Sequence, residues 1–265
     1  KLKKQEATGK NFKPMSEDEL AGELKQEFGE GFEVVTTRHY TICTNSGPAY
    51  ARWCGALFER LMGAFRTHWK TRALDLHDPE LPLVAIVFSD AEQFAKFATK
   101  DAGPAVANAK GYYSIRTNRM VLYDLTADGK SDRAVTPAAV NRKIAASPFN
   151  VATVVHEATH QIAFNCGMHT RYADNPLWLS EGMAMYFETP DLKSRNGWRT
   201  VGKVNAVRLN RFHDYARKRR KANALESLLS SNARFANAET AEDAYAESWA
   251  LNYFLIKTRR KQYMD

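Results

Sequence analysis

Apolar and polar positions alternate along this chain with two different periods, and the change of period divides it. Ser16 to Phe28 reads as a short helix, with Ser16 and Glu19 at capping-box spacing. The β-branched and aromatic run from Phe32 to Cys43, FEVVTTRHYTIC, reads as a strand. Gly47 and Pro48 then open an apolar-periodic helical stretch that reaches about Trp69. The pattern recurs as the strand LVAIVF (Leu83 to Phe88), followed by Ser89 or Asp90 as N-cap of the helix AEQFAKFA. Two more strands are expected at Gly111 to Ile115 and Arg119 to Asp124, separated by the turn-prone Thr117 and Asn118. After the polar break ADGKSD the strand signals fade and helical periodicity takes over.

These elements predict an α+β fold. Residues 33–125 form a mixed β-sheet part of four strands and two helices, residues 147–265 form a mainly helical part, and residues 1–32 form a loosely attached lead-in. The longest nearly unbroken apolar run, Leu81 to Phe88, contains Pro82 and is far short of the roughly 20 residues a membrane span needs.

Composition agrees with a globular protein: of 265 residues, 44% are hydrophobic and 26% charged. Cys43, Cys54 and Cys166 lack the spacing of a thiolate metal or redox site; Cys43 and Cys54 either pair or remain buried thiols. The first residues, KLKKQEATGKNFK, are too polar for the core of a secretory signal and begin without Met, so a processed chain is expected. The compartment is left open, an extracytoplasmic site with the signal removed being one option.

The net charge of +8 is unevenly spread. Between Lys193 and Lys221 stand 11 basic residues and one acid, Asp214, giving +10 and leaving −2 for the rest. Val201, Val204, Val207, Phe212 and Tyr215 give this stretch a partial apolar face, so a docked amphipathic helix with a basic outer side is expected. An anionic partner at Arg217 to Lys221 is one use of that side and a solvated face the other; nucleic acid is disfavoured because no binding motif accompanies the charge.

The chemistry is concentrated after residue 147. Ser147 and Pro148 suit N-cap and N1, and Val151, Val154, Val155, Ala158 and Ile162 make a helical stripe that ends before Gly167. On that helix lie His156, Glu157 and His160, spelling H-E-A-T-H. Histidines one turn apart can converge on one ion, and neutral imidazole binds zinc at about 2.0–2.1 Å. A third ligand is needed. The next helix candidate, NPLWLSEGMAMYFETP, bounded by Pro176 and by Thr189 before Pro190, makes Glu181 the best one.

With these residues the chain resembles the gluzincin metallopeptidases, in which a HExxH helix is followed by a second helix bearing a Glu ligand. The run WLSEGMAMYFE is similar to the WLNEGFAxYxE segment of their membrane-alanyl-aminopeptidase branch. The match is closer to little-characterised peptidase-like domains of the DUF1570 type, with the pattern HEaTHQlafn…PlWLsEGmAxyfE. It is tight over Asn150 to Glu188 and looser over the preceding strands and the late segment YAESWALNYFL.

The resemblance implies a zincin-like fold, Zn2+ held by His156, His160 and Glu181 in a cleft between the two parts, and hydrolysis of a peptide or protein substrate. Glu157 would act as general base on a metal-activated water. Tyr245 would donate to the carbonyl oxygen, because related peptidases place a Tyr after the Glu ligand; alternatively Tyr245, Trp249 and Tyr253, at i, i+4 and i+8, form a core-facing stripe. Glu188 either accepts a hydrogen bond from a ligand histidine or is a surface carboxylate. His169 either touches substrate or, as the better expectation, is a solvent-exposed loop residue. Asp174 is read as a loop cap, and His39, His68, His77 and His213 as structural.

The amine-gripping GxMEN motif of the aminopeptidase branch is missing, which disfavours aminopeptidase activity and leaves an endopeptidase. Its extended substrate is expected to add to a sheet edge at the strand Arg119 to Asp124. The competing class is a non-catalytic peptide- or polymer-binding protein that keeps the zinc for structure.

Overall fold

The computed structural model describes residues 14–126, 134–146, 148–194 and 198–264. Its N-terminal part is a five-stranded mixed sheet in the order β1-β2-β3-β5-β4. The strands are β1 (Glu33–Thr36), β2 (Tyr40–Thr44), β3 (Leu83–Phe88), β4 (Gly111–Ser114) and β5 (Arg119–Tyr123). β3 lies between parallel neighbours β2 and β5, and the two outer pairs, β1 with β2 and β4 with β5, are antiparallel. Helices α1 (Glu17–Phe28), α2 (Pro48–Lys70) and α3 (Ala91–Ala102) accompany the sheet. The C-terminal part is helical: α4 (Pro137–Ala146), α5 (Pro148–Asn165), α6 (Leu177–Phe187), α7 (Ala206–Lys218), α8 (Ala224–Ser230), α9 (Ala233–Ala236), α10 (Ala241–Thr258) and α11 (Arg260–Met264). No helix among the described residues is long and apolar enough to cross a membrane.

The unbroken apolar run of β3 follows from burial on both faces. Leu83, Ala85 and Val87 face the large core shared with α2 and α5, while Ile86 and Phe88 face a second core under α1 and α3. Asp90 caps α3 by accepting from the Gln93 amide at 2.9 Å. The described part of the expected lead-in is docked, not loose. Leu24 of α1 is buried, and Phe28 packs its ring against Phe32, Phe88 and Phe97. The α1 capping box is formed, with Glu19 N on Ser16 Oγ at 3.2 Å and Ser16 N on Glu19 Oε2 at 2.7 Å.

Two strand expectations are corrected. Phe32 to Cys43, read as one strand, is a hairpin pairing Glu33 with Thr44 through Thr36 with Thr41. Its turn is gripped from α2, where Glu59 accepts from Thr37 Oγ1 and His39 N, each at 2.7 Å. The strand Arg119 to Asp124 is interior, flanked by β3 and β4, so it offers no edge; the edge strands are β4 beside it and β1 at the far side. Cys43, Cys54 and Cys166 are buried free thiols, so Cys43 and Cys54 are not paired. The expected cap Ser147 and the break ADGKSD lie outside the described residues.

The basic segment docks differently from expectation. Helix α7 begins only at Ala206, capped by Asn205, and Val204 and Val207 are exposed. Of the expected apolar face, Val201 packs on the core and Tyr215 is buried, and buried acids on α10 hold the basic side chains. Asp243, 5% exposed, receives Arg211 at 2.6 Å and Arg219 at 3.1 Å; Glu247, 3% exposed, receives Arg220 and Arg234, each at 2.8 Å. Tyr215 adds a hydroxyl to Glu247 at 3.2 Å. Such buried carboxylates are tolerable only when each is matched by cations and donors. Much of the +10 charge is therefore structural, while Arg217 and Lys221 remain exposed.

Helix α6 meets α10 through Gly182. A Cβ there would lie 2.5 Å from Ser248 O and closer still to Asn252 Nδ2, a side chain already donating to Trp178 O and Ser248 O at 2.9 Å. Gly182→Ala is therefore expected to push the two helices apart and cost about 1–3 kcal/mol, the usual range for overpacking. Thermal unfolding measures this; an unchanged Tm would show that the contact has slack.

Candidate metal centre

Helix α5 turns Val151, Val154, Val155, Ala158 and Ile162 into the core, all of them fully or nearly fully buried. That stripe fixes the rotation of the helix and presents His156, Glu157 and His160 on its other side, toward a cleft of about 400 Å³. Helix α6 supplies Glu181 from across the cleft. His156 Nε2 lies 3.1 Å from both Glu181 Oε2 and His160 Nε2, and His160 Nε2 lies 3.4 Å from Glu181 Oε1. All three residues offer a ligand atom within 4.8 Å of the others.

The electrostatics are those of a site built for a cation. Burial opposes the charge of His156, yet its bond to Glu181 and the charges of Glu181, Glu157 and Glu188 lift it to about 9. Burial likewise opposes ionisation of Glu181, but His160 and His156 hold it well below the usual carboxylate range. Two imidazoles from α5 and an ionised carboxylate from α6, brought together at the cleft, form a donor set that suits a divalent ion.

Glu157 is turned to the sheet. Its Oε2 accepts from the Tyr113 backbone N–H at 2.9 Å, and burial raises its pKa despite the opposing charges of His156 and His160. Edge strand β4 is in turn locked to α5. Tyr113 stacks on Phe164 with ring centroids 5.6 Å apart, and its hydroxyl donates to Asn118 Oδ1 at 2.7 Å. Gln161, one residue after His160, donates to Val84 O and Asn118 O at 3.0 Å each, and Asn118 Nδ2 donates to Asn165 Oδ1 at 2.8 Å. The helix bearing the histidines and the strand along the cleft are thus one polar assembly.

Tyr245 lies in the same cleft, half-buried, with its ring edge on Phe235 at 5.2 Å. Burial and the charges of Glu181 and Glu157 push its phenol upward, so it stays protonated. The aromatic series on α10 splits here. Trp249 and Tyr253 pack on each other at 5.3 Å, and Tyr253 continues to Tyr186, while Tyr245 turns to the cleft.

Two expectations are corrected. Glu188 also lines the cleft, but its carboxylate is forked by Arg208 (Nη2 at 3.0 Å, Nε at 3.2 Å) and receives Asn205 at 3.3 Å in place of a ligand histidine. His169 is buried, not solvent-exposed. Gly167, at φ +87°, ends α5 in the left-handed region, and the amides of Met168 and His169 both return to Ala163 O, which folds the loop back under the helix. There His169 packs on Phe164 at 5.3 Å, and burial, with the charge of His160, pushes its pKa down to about 4.

Several contributors carried no clear sequence signal: the Tyr113 N–H, Gln161, and Arg208, which was counted only as part of the basic stretch. Gly182 did carry one, since a glycine inside an apolar helical pattern marks a close approach.

Residues 150–265 match the profile of a family described as a protein of unknown function (DUF1570). The match spans the helices that carry the triad and every helix after them, and agrees with the DUF1570-like pattern read over Asn150 to Glu188; the description assigns no activity. No curated protein matches the chain.

Proposed function

We propose that this chain is a zinc-dependent peptidase of gluzincin type, with His156, His160 and Glu181 as ligands. The observation that carries the reading is the pairing of a convergent His-His-Glu triad with a neighbouring carboxylate, Glu157, which is held against the backbone of an edge strand. A zinc ion kept only for structure is enclosed by its ligands and needs no general base beside it. This triad instead faces a cleft large enough for several substrate atoms.

Zinc bound by the triad would supply Lewis acidity, polarising a carbonyl and lowering the pKa of a nearby water. The chain's residues do the rest. Glu157, its proton affinity raised by burial, accepts a proton from the attacking water and returns it to the leaving amine. Tyr245, kept protonated, donates its hydroxyl to the carbonyl oxygen as charge grows there. Strand β4, at the rim of the sheet, runs beside the cleft through Tyr112 and Tyr113, so an extended peptide would lie along it, which suits cleavage of internal bonds.

Tyr245→Phe tests the assignment of the donor. It is expected to leave zinc content and melting unchanged and to lower peptide hydrolysis on the order of 10²-fold, mainly in kcat. Full activity would return Tyr245 to a packing role against Phe235.

A further inference from the structure

We infer that the corner where the end of α2 meets the α10–α11 joint is a binding site for a compact polyanion with adjacent phosphate groups. A cavity of about 590 Å³ lies there, and Arg72, Arg259, Arg260 and Lys261 line it. The site is separate from the metal cleft: Thr258 at this corner and Tyr245 in the cleft stand toward opposite ends of α10, about 20 Å apart at 1.5 Å per residue.

The cavity is assembled from segments far apart in sequence. Past Trp69 the chain turns back, with the amides of Arg72 and Leu74 both returning to Trp69 O and Ala73 in the left-handed region at φ +66°. The Arg72 guanidinium is held by its own turn, where Nη1 donates to His68 O at 2.7 Å and to Thr71 Oγ1 at 3.1 Å. From the other side, α10 is capped by Arg259 and α11 follows at once. Tyr263 of α11 stacks on Trp69 with centroids 6.1 Å apart and planes 10° from parallel, and its hydroxyl donates to Asn252 Oδ1 at 2.7 Å. That stacking gathers Arg259, Arg260 and Lys261 with Arg72 around one cavity.

These four charges have no acid to meet them. Among the described residues no carboxylate lines the cavity, and none of the four forms an ion pair; Asp75, close by in sequence, is exposed and pairs with none of them. Elsewhere the fold supplies the acids itself: Arg208 has Glu188, Arg211 and Arg219 have Asp243, and Arg220 and Arg234 have Glu247. Like charges gathered without an acid repel, and a concave surface of one sign concentrates counter-ions. An anion from solution supplies what the chain does not.

Its class follows from the lining. Three of the four cations are arginines, whose planar forks match phosphate oxygens two at a time. The apolar lining is Ala73, Leu74 and Met264, without an aromatic ring on which a base could stack. Linked phosphates crowd several charges into a small volume. Successive side chains of an extended acidic peptide point to opposite faces, so only alternate carboxylates would reach the cavity.

Calorimetric titration of the full chain with inorganic triphosphate, in zinc-loaded and metal-stripped forms, tests this. One site per chain is expected in both, weakening as salt is raised. Arg72→Gln and Arg260→Gln are each expected to weaken binding about 10-fold or more, the scale of one charge-assisted hydrogen bond. Arg217→Gln combined with Lys221→Gln, two exposed cations of the α7 segment, should change it by less than about 2-fold, because distant exposed charges are screened. Hexaglutamate should bind more weakly than triphosphate. Vesicles carrying a bisphosphorylated inositol lipid identify the source: retention that triphosphate competes away assigns a lipid headgroup, and triphosphate binding without retention assigns a free phosphate ligand.

No binding of triphosphate up to about 1 mM at about 0.15 M salt would overturn the inference. So would binding to the zinc-loaded chain alone, which belongs to the metal centre, an equal loss in the Arg217 and Lys221 variant, unchanged affinity in the Arg72 and Arg260 variants, or tighter binding of hexaglutamate. Should Arg72→Gln fail to fold, Arg260→Gln, at an exposed side chain, decides the matter in the same way.

Discussion

Glu157→Gln is expected to retain zinc and fold yet lose peptide hydrolysis by at least about 10²-fold, the usual scale for a positioned general base. The substitution is nearly isosteric, and the Gln carbonyl oxygen can still accept from the Tyr113 amide, so the link between α5 and β4 survives. Only the ability to take a proton disappears. Digestion of a peptide library read by mass spectrometry measures the effect. A variant as active as wild type would assign the proton transfer to another group in the cleft. A wild type that cleaves nothing while holding zinc would favour the non-catalytic binder.

His160→Ala is expected to abolish zinc binding while the chain still folds, because the buried stripe of Val151, Val154, Val155, Ala158 and Ile162 is untouched. Binding to the native state alone stabilises it by about 2.7 kcal/mol at a zinc concentration 100 times Kd, so wild type should melt higher as zinc is added. The variant should show no such rise. An equal rise in both would mean that zinc binds elsewhere.

The His156, His160 and Glu181 group was legible in part from local periodicity and in part from the resemblance, since spacing alone made Glu181 only the best candidate for the third position. HEATH on a helix fixes two donors one turn apart, and WLSEGMAMYFE makes a second helix whose Glu faces them. The mixed sheet with helices, followed by a helical part, was legible from local periodicity. What was missed depends on partners distant in sequence. The hairpin within Phe32 to Cys43 is set by Glu59 on α2, and the interior position of β5 follows from the pairing order of the strands, which no single strand's pattern encodes. The basic stretch looked like a charged outer face because Asp243 and Glu247 lie on a different helix, 24 or more residues from the arginines Arg211 and Arg219 that meet Asp243 and 27 from Arg220. His169 misled for a related reason: a polar loop residue is ordinarily exposed, but the backbone reversal at Gly167 folds this one inward.

The most direct test of the metal centre is native mass spectrometry of the metal-stripped chain during titration with zinc, wild type beside Glu181→Ala. Wild type is expected to take up one zinc ion per chain with a sharp end point, and Glu181→Ala, with two of three ligands left, to take up none at the same concentrations. Uptake of one ion by both proteins, or by neither, would contradict a zinc site made of His156, His160 and Glu181.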